Sequence, residues 1–165
     1  MTKRFWAPGI IVLFVTSAMS CHRPAQTSSS AVAPDSLTGI VSITGTGFEQ
    51  RVVLRSGKTT TYLSTATADS AALSRLGGVE VLLVGERAPT LFRVKRFTAV
   101  SVNGSPVADG VLKNDGGRLM LETSHGTIPL GNPPVALRSM VAARVWIGGP
   151  LDRGPNFFGL IIPPP

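Results

Sequence analysis

Few residues in this chain have side chains able to act as a nucleophile, a base or a metal ligand. Ser124 and His125 place a hydroxyl beside an imidazole. Adjacent residues on a strand or hairpin point in different directions, however, so this pair does not predict a catalytic site. The other histidine, His22, lies in a Ser- and Pro-rich segment beside the single cysteine, Cys21. These spacings form no tetrahedral ligand set, and the sequence predicts no metal and no cofactor.

The aspartates also predict no catalytic site. Asp109, Asp115 and Asp152 each stand beside Gly or near Pro, a context typical of side chains that stabilise turns. The chain contains no Gly-x-Ser-x-Gly elbow, no phosphate-binding Gly-rich loop and no dinucleotide fingerprint. We therefore predict no catalytic residue and no enzymatic activity.

Cys21 follows a stretch that reads as an export signal. Lys3 and Arg4 form a positive start, Trp6 to Val15 is apolar, and Ala18-Met19-Ser20 is a small-residue cleavage site. This arrangement resembles the signal of bacterial lipoproteins, in which the cysteine receives the lipid. The resemblance implies that residues 1–20 are a signal peptide and that Cys21 anchors the protein to a membrane from outside the cytoplasm.

Two other interpretations of this stretch remain open. Ala18 stands where lipoprotein signals most often have Leu, and Ala18 with Ser20 also suits the cleavage site of a soluble secreted protein. An uncleaved transmembrane anchor is less well supported, because Pro8 and Gly9 interrupt an apolar run shorter than the roughly 20 residues that a spanning helix needs. If the source is Gram-negative, His22 after the cysteine implies delivery to the outer membrane.

Residues 21–36 are small, polar and interrupted by prolines, and we interpret them as a lipidated flexible tether. The chain carries a formal charge of +7, and the excess of cations lies mostly in its first half. A basic domain tethered near an anionic lipid or polysaccharide surface is attracted to it. The expected partners are the membrane, through the lipid, and an envelope protein or polysaccharide.

The composition predicts an all-β fold with short helices. Val, Thr, Gly and Pro are abundant, charged residues are 15% of the chain, and no long segment has the spacing of an amphipathic helix. A single cysteine forms no intramolecular disulfide, so the stability of a small domain must come from burial alone. This favours folded parts that pack against each other.

An internal repeat divides the rest of the chain. Arg51–Leu63 aligns without gaps on Arg118–Leu130, and Ala72–Gly85 aligns on Ala136–Gly149, with apolar residues and glycines in the same order. A period of this length suits a duplicated small domain rather than a solenoid. The predicted domains are residues 37–104 and 105–165, with a hinge marked by Pro106.

Each copy reads as three strands, a short helix and two strands. In the first copy we predict the first strand at Thr38–Thr44, and in the second at Gly110–Lys113. This order resembles the OB-fold, a five-stranded Greek-key barrel, and small secreted OB-like domains of uncharacterised type. The matching positions in the first copy are Gly57, Leu63, Leu73, Leu76, Val79, Val81 and Gly85. The resemblance implies two tandem OB-like barrels and carries no activity.

Two groups of residues are candidates for binding. The first group is Arg93, Lys95 and Arg96, of which Arg93 and Lys95 alternate with Phe92 and Val94, as on a strand with one buried and one solvated face. Nucleic acid is not expected as a partner, because this strand has few aromatic residues on which bases could stack.

The second group is Arg144 and Trp146, which share one face of a strand opposite Val145 and Ile147. Trp146 fits either a contact between the two domains or a ligand-binding face. We therefore expect a non-catalytic cell-envelope lipoprotein with a structural or protein-interaction function. A module that binds an envelope glycan or another anionic ligand is the alternative.

Overall fold

A computed structural model describes residues 34–165, with the side chain of Phe48 excepted. These residues form one compact unit of ten strands and two short α-helices, which confirms the prediction of an all-β fold with short helices. Residues 1–33, with the predicted signal, Cys21 and most of the tether, lie outside the described part. Among residues 34–165 no helix is long and apolar enough to span a bilayer.

The elements repeat the same order in two halves, which we call the first half (residues 35–102) and the second half (residues 105–162). The first half contains β1 (Asp35–Thr44), β2 (Arg51–Ser56), β3 (Thr59–Ser64), α1 (Thr67–Ser74), β4 (Val79–Arg87) and β5 (Phe92–Val102). The second half contains β6 (Ser105–Asp115), β7 (Arg118–Thr123), β8 (Gly126–Pro129), α2 (Val135–Arg138), β9 (Arg144–Gly148) and β10 (Phe157–Ile162). A 3-10 turn, Gly47–Glu49, separates β1 from β2.

The strands of the first half form a closed circuit of pairings. β1 pairs with β2, β2 with β3, and β4 with both β1 and β5, all antiparallel. A short parallel pairing of β3 with β5 completes the circuit. In the second half β6 pairs with β7 and β9, β7 with β8, and β9 with β10.

The first strand begins earlier than predicted, at Asp35 instead of Thr38. Asp35 lies opposite Gly85, and Ser36 lies opposite Val84. The polar composition of this segment predicted a tether through residue 36, but pairing to β4 gives its backbone groups hydrogen-bond partners. Asp35 and Ser36 therefore belong to the sheet.

The two halves are joined by a tight hairpin between β5 and β6. Asn103 and Gly104 form its turn, with positive φ of 50° and 77°, the backbone hand that two-residue hairpins favour. Pro106 itself lies in β6 opposite Ser101, two residues after this turn, and a hinge there stays a prediction. The division into two domains at residues 104 and 105 coincides with this turn and stays a prediction.

Two hydrophobic clusters fill the fold. The first cluster lies in the first half and is built around Leu73, Leu83 and Phe92. The second cluster lies in the second half and is built around Leu112, Leu121 and Val145. The first cluster also takes in Ile161 of β10, with Val107 and Trp146 packed against it. The second half therefore contributes side chains to both clusters.

The predicted core positions on β4 and β9 are confirmed. Val81, Leu83, Val145 and Ile147 are each 0% exposed. Their neighbours Leu82 and Trp146 point to the opposite face of their strands, as a period of two requires. The sequence pattern alone was sufficient to place these side chains.

Shortening a core residue provides a test of this register. Leu83→Ala is expected to lower the free energy of unfolding by about 2–4 kcal/mol, because it removes buried methyl groups and leaves a cavity. Leu82→Ala is the matched control, since Leu82 is 37% exposed and its truncation should cost much less. Urea denaturation of both variants measures the difference. Equal losses for the two variants would mean that the register of β4 is wrong.

Candidate binding site

Trp146 packs between the two halves. It lies on the face of β9 opposite Val145 and Ile147, half-buried against the first cluster together with Val107 and Ile161. This is the contact between halves that one interpretation of the sequence predicted. A ligand-binding function for Trp146 stays a prediction.

A glycine on the neighbouring strand makes room for the indole ring. Gly159 of β10 lies opposite Trp146, and a Cβ atom added there would come within 2.5 Å of the indole Cε2. Phe157 lies further along β10, with its ring centroid 6.0 Å from that of Trp146 at an angle of 57°. A side chain at position 159 would therefore clash with the indole ring.

Arg144 forms a two-point ion pair with Asp109 beside Trp146. Arg144 Nε donates to Asp109 Oδ1 at 2.8 Å, and Nη2 donates to Oδ2 at 2.9 Å. The Asp109 side chain is only 3% exposed and also accepts a hydrogen bond of 2.8 Å from the Ala99 backbone N–H. Its carboxylate therefore has three donors, one of them from β5 of the first half.

The prediction that Asp109 stabilises a turn is wrong. Asp109 lies within β6, opposite Trp146. An Asp-Gly pair is typical of a turn. Here the glycine is required for a different reason: the strand passes close to β7, and a Cβ at Gly110 would lie 2.4 Å from Glu122 O. Asp115 and Asp152 do lie at turns, Asp115 at the end of β6 and Asp152 in the loop before β10.

Arg144 also contacts the first half directly. Its Nη2 donates to the Phe97 carbonyl at 2.6 Å, and the guanidinium carbon lies 4.5 Å from the centre of the Phe97 ring. The side chain is 25% exposed. Arg144 thus joins β9 to β6 through Asp109 and to β5 through Phe97, and its side chain is partly exposed.

The basic residues of β5 lie on its outward face. Phe92 is fully buried and Val94 packs against the first cluster, while Arg93, Lys95 and Arg96 are exposed. This confirms the alternation read from the sequence. A bulge between the pairs Gly85–Val94 and Val84–Arg96 inserts Lys95 into β5 and leaves both Lys95 and Arg96 outside. A bulge shifts the phase of a strand by one residue, and here it adds a second cation to the surface.

One acidic residue faces these cations. Lys95 Nζ lies 2.5 Å from Glu86 Oε1, and Glu86 is opposite Arg93 on β4. The hydrogen bond from Lys95 and its charge, with the charge of Arg93, hold the pKa of Glu86 below its ordinary value. Glu86 is therefore ionised at neutral pH. At this end of β4 and β5, Glu86 lies beside Arg93 and Lys95, and the next residue of β4, Arg87, pairs with Asp35.

An open groove of about 600 Å³ connects Arg144 with this basic end of β5. Its floor includes Leu82 and Val84, and Lys95, Arg96 and Arg144 line its sides. The turn of Ser124 and His125 and the side chain of Asp69 complete the lining. Of the predicted binding residues, the fold brings Lys95, Arg96 and Arg144 into one groove and leaves Arg93 and Trp146 outside its lining.

Ser124 and His125 both lie in the lining of this groove. The His125 backbone N–H donates to Thr123 Oγ1 at 3.1 Å, which stabilises the turn. Sequence reasoning did not assign this turn to the groove. Its alignment with Gly57 and Lys58 in the repeat marked it as a hairpin turn and gave no sign of its neighbours.

The volume of the groove lies in the range typical of small-molecule sites. Its chemistry suits a ligand with an anionic group and an apolar part.

Compared with protein-family models, curated proteins and solved structures, the chain matches none. Within residues 34–165 no group of three His, Cys, Asp or Glu side chains is placed to hold a metal ion.

Proposed function

We propose that this chain is a non-catalytic lipoprotein of the cell envelope, exported and anchored through Cys21, with a structural or protein-interaction function. In a Gram-negative source its place is the outer membrane facing the periplasm. Soluble secretion is the alternative location. The observation that supports the non-catalytic part is the Asp109–Arg144 pair, in which the carboxylate accepts from Arg144 and from the Ala99 N–H while Arg144 also donates to the Phe97 carbonyl of β5.

We infer that both halves are OB-like barrels. The closed circuit of pairings in the first half, with β3 parallel to β5, supports this for residues 35–102. In the second half the equivalent strands β8 and β10 are not paired with each other. The hydrogen bond from Gly131 N to Leu151 O, 2.8 Å long, supports closure between the end of β8 and the loop before β10.

Matching registers support the inference that the halves arose from one repeat. Gly39 lies opposite Val81 in the first half, and Gly110 lies opposite Val145 in the second. A Cβ at Gly39 would meet Arg55 O at 2.5 Å, and one at Gly110 would meet Glu122 O at 2.4 Å. Arg55 and Glu122 are partners in the sequence alignment. The close approach of the first strand to the second strand is thus the same in both halves.

A second function, binding of an envelope glycan or another anionic ligand, is favoured by the groove. Lys95 and Arg96 of the first half and Arg144 of the second reach one opening above the apolar floor of Leu82 and Val84. The three cations would bind the anionic group of a ligand, and Leu82 and Val84 would contact its uncharged part.

The proposed anchor is tested by Cys21→Ser. We expect this variant to lose labelling by a fatty-acid analogue and to move from the detergent phase to the aqueous phase, because the acylated thiol is removed. His22→Ala, next to it, is the matched control and should keep both properties. Phase partitioning and gel detection of the label make the measurement. A Cys21→Ser protein that stays in the detergent phase would point to an uncleaved transmembrane anchor, and an unlabelled parent chain would contradict the proposal.

A further inference from the structure

The outward face of β1, β4 and β5 is apolar at its centre and basic at one end. Thr38 lies opposite Leu82, and Leu82 lies opposite Thr98, so these side chains share the face. Leu82 is 37% exposed, and Ile40, two residues along β1 from Thr38, is 47% exposed. Arg96, opposite Val84, begins the basic end. We call this surface the β1–β4–β5 face.

The equivalent surface of the second half is covered. In the repeat, Glu80 and Leu82 align with Arg144 and Trp146. Arg144 and Trp146 are covered because they pack against the first half. Leu82 and Ile40 have no such cover within the described residues, and large exposed apolar side chains that adjoin a charged cluster mark an interaction surface.

The basic end of this face is also where the chain enters the fold. Ser36 lies opposite Val84, and Val84 lies opposite Arg96. The start of β1 is therefore only two strands away from the basic residues of β5. Residues 22–34 separate Cys21 from β1. Fully extended, that segment reaches at most about 45 Å. A lipid on Cys21 would hold Arg93, Lys95 and Arg96 within that distance of the bilayer.

We propose that the β1–β4–β5 face docks on the anionic headgroups of the membrane that holds the lipid, through Arg93, Lys95 and Arg96. This inference rests on the proposed function. The charge is complementary: Arg93, Lys95 and Arg96 are exposed, and the carboxylates beside them are Glu86, which pairs with Lys95, and Asp69 in the groove lining. A basic patch beside the tether supplies a second contact with the membrane in addition to the lipid.

The test uses the full-length chain carrying Cys21→Ser, so that binding does not depend on acylation. The probes are phosphatidylcholine vesicles with about one third phosphatidylglycerol and vesicles of phosphatidylcholine alone. We expect sedimentation with the anionic vesicles only. Replacing Arg93, Lys95 and Arg96 by Gln should weaken the binding by about 100-fold, since each cation near a charged bilayer contributes about fivefold. Raising the salt concentration should weaken it as well.

Two further variants keep the result interpretable. Replacing the exposed Arg118, Arg138 and Arg153 of the second half by Gln makes the same change in net charge and should leave the binding nearly unchanged. Glu86→Gln should strengthen binding several-fold, a gain that unfolding does not produce.

Three outcomes would overturn the proposal. The first is equal binding to neutral vesicles, and the second is an equal loss for the two triple variants. The third is binding to dextran sulfate without binding to vesicles, which would assign the face to a soluble polyanion. Failure of the proposed anchor is seen separately, as absence of fatty-acid labelling in the parent chain.

Discussion

Asp109→Ala is expected to lower the free energy of unfolding by about 3–5 kcal/mol. The substitution removes a carboxylate that is 3% exposed and leaves the guanidinium of Arg144 beside the Phe97 ring without its counter-ion. It also leaves the Ala99 N–H without an acceptor. Breaking a buried pair on one side costs more than the pair contributes, because the remaining charge stays desolvated.

The matched control is Asp115→Ala, at the exposed end of the same strand, which should change the free energy of unfolding by less than about 0.5 kcal/mol. A double variant, Asp109→Leu with Arg144→Met, removes both charges and should recover most of the loss. Urea denaturation of the three proteins measures these differences. An Asp109→Ala protein as stable as the control would show that the ion pair does not hold β9 against β5.

Trp146→Asp should lower the free energy of unfolding by about 3 kcal/mol or more and separate the unfolding of the two halves. The indole packs against the first cluster, and its loss removes apolar contact between the halves. The new carboxylate would also lie directly opposite Asp109, and like charges at opposed positions of a sheet repel. Trp146→Phe, which keeps an aromatic ring, is the control and should cost less.

Calorimetry provides the measurement for Trp146→Asp. In the parent chain we expect the calorimetric enthalpy to equal the van't Hoff enthalpy, the sign of one cooperative unit. In Trp146→Asp the two should differ, with two transitions. Cooperative unfolding together with loss of a ligand would instead assign Trp146 to a binding face. No change of either kind would exclude both uses of this residue.

The positions of buried strand residues could be predicted from the sequence because alternation is local. Val81 and Leu83 on β4, and Val145 and Ile147 on β9, are buried as the period of two requires. The exposure of Arg93 and Lys95 followed from the same pattern, whereas that of Arg96 depends on a bulge that the pattern does not show. Hairpin turns were also readable, since Asn114 to Gly117 carry residues that accept positive φ.

Features that depend on distant strands were missed or misread. Asp35 and Ser36 look like tether by composition, and pairing with β4 makes them strand. Asp109 and Gly110 look like a turn, and packing against Glu122 and pairing with Arg144 place them in the interior of β6. The groove could not be predicted from the sequence either, because Arg96, His125 and Arg144 come together only in the folded chain.

The sequence by itself determined that this chain is a β protein, which side chains of β4 and β9 are buried, and where cations line β5. These properties depend on neighbours one or two residues apart along a strand. Only the tertiary structure decided which outward face is covered. The repeat gives β4 and β9 equivalent faces, yet Trp146 is packed against the first half and Leu82 faces solvent. The reason is geometric: the two halves meet through one surface of each, and contacts between residues far apart in the chain select that surface.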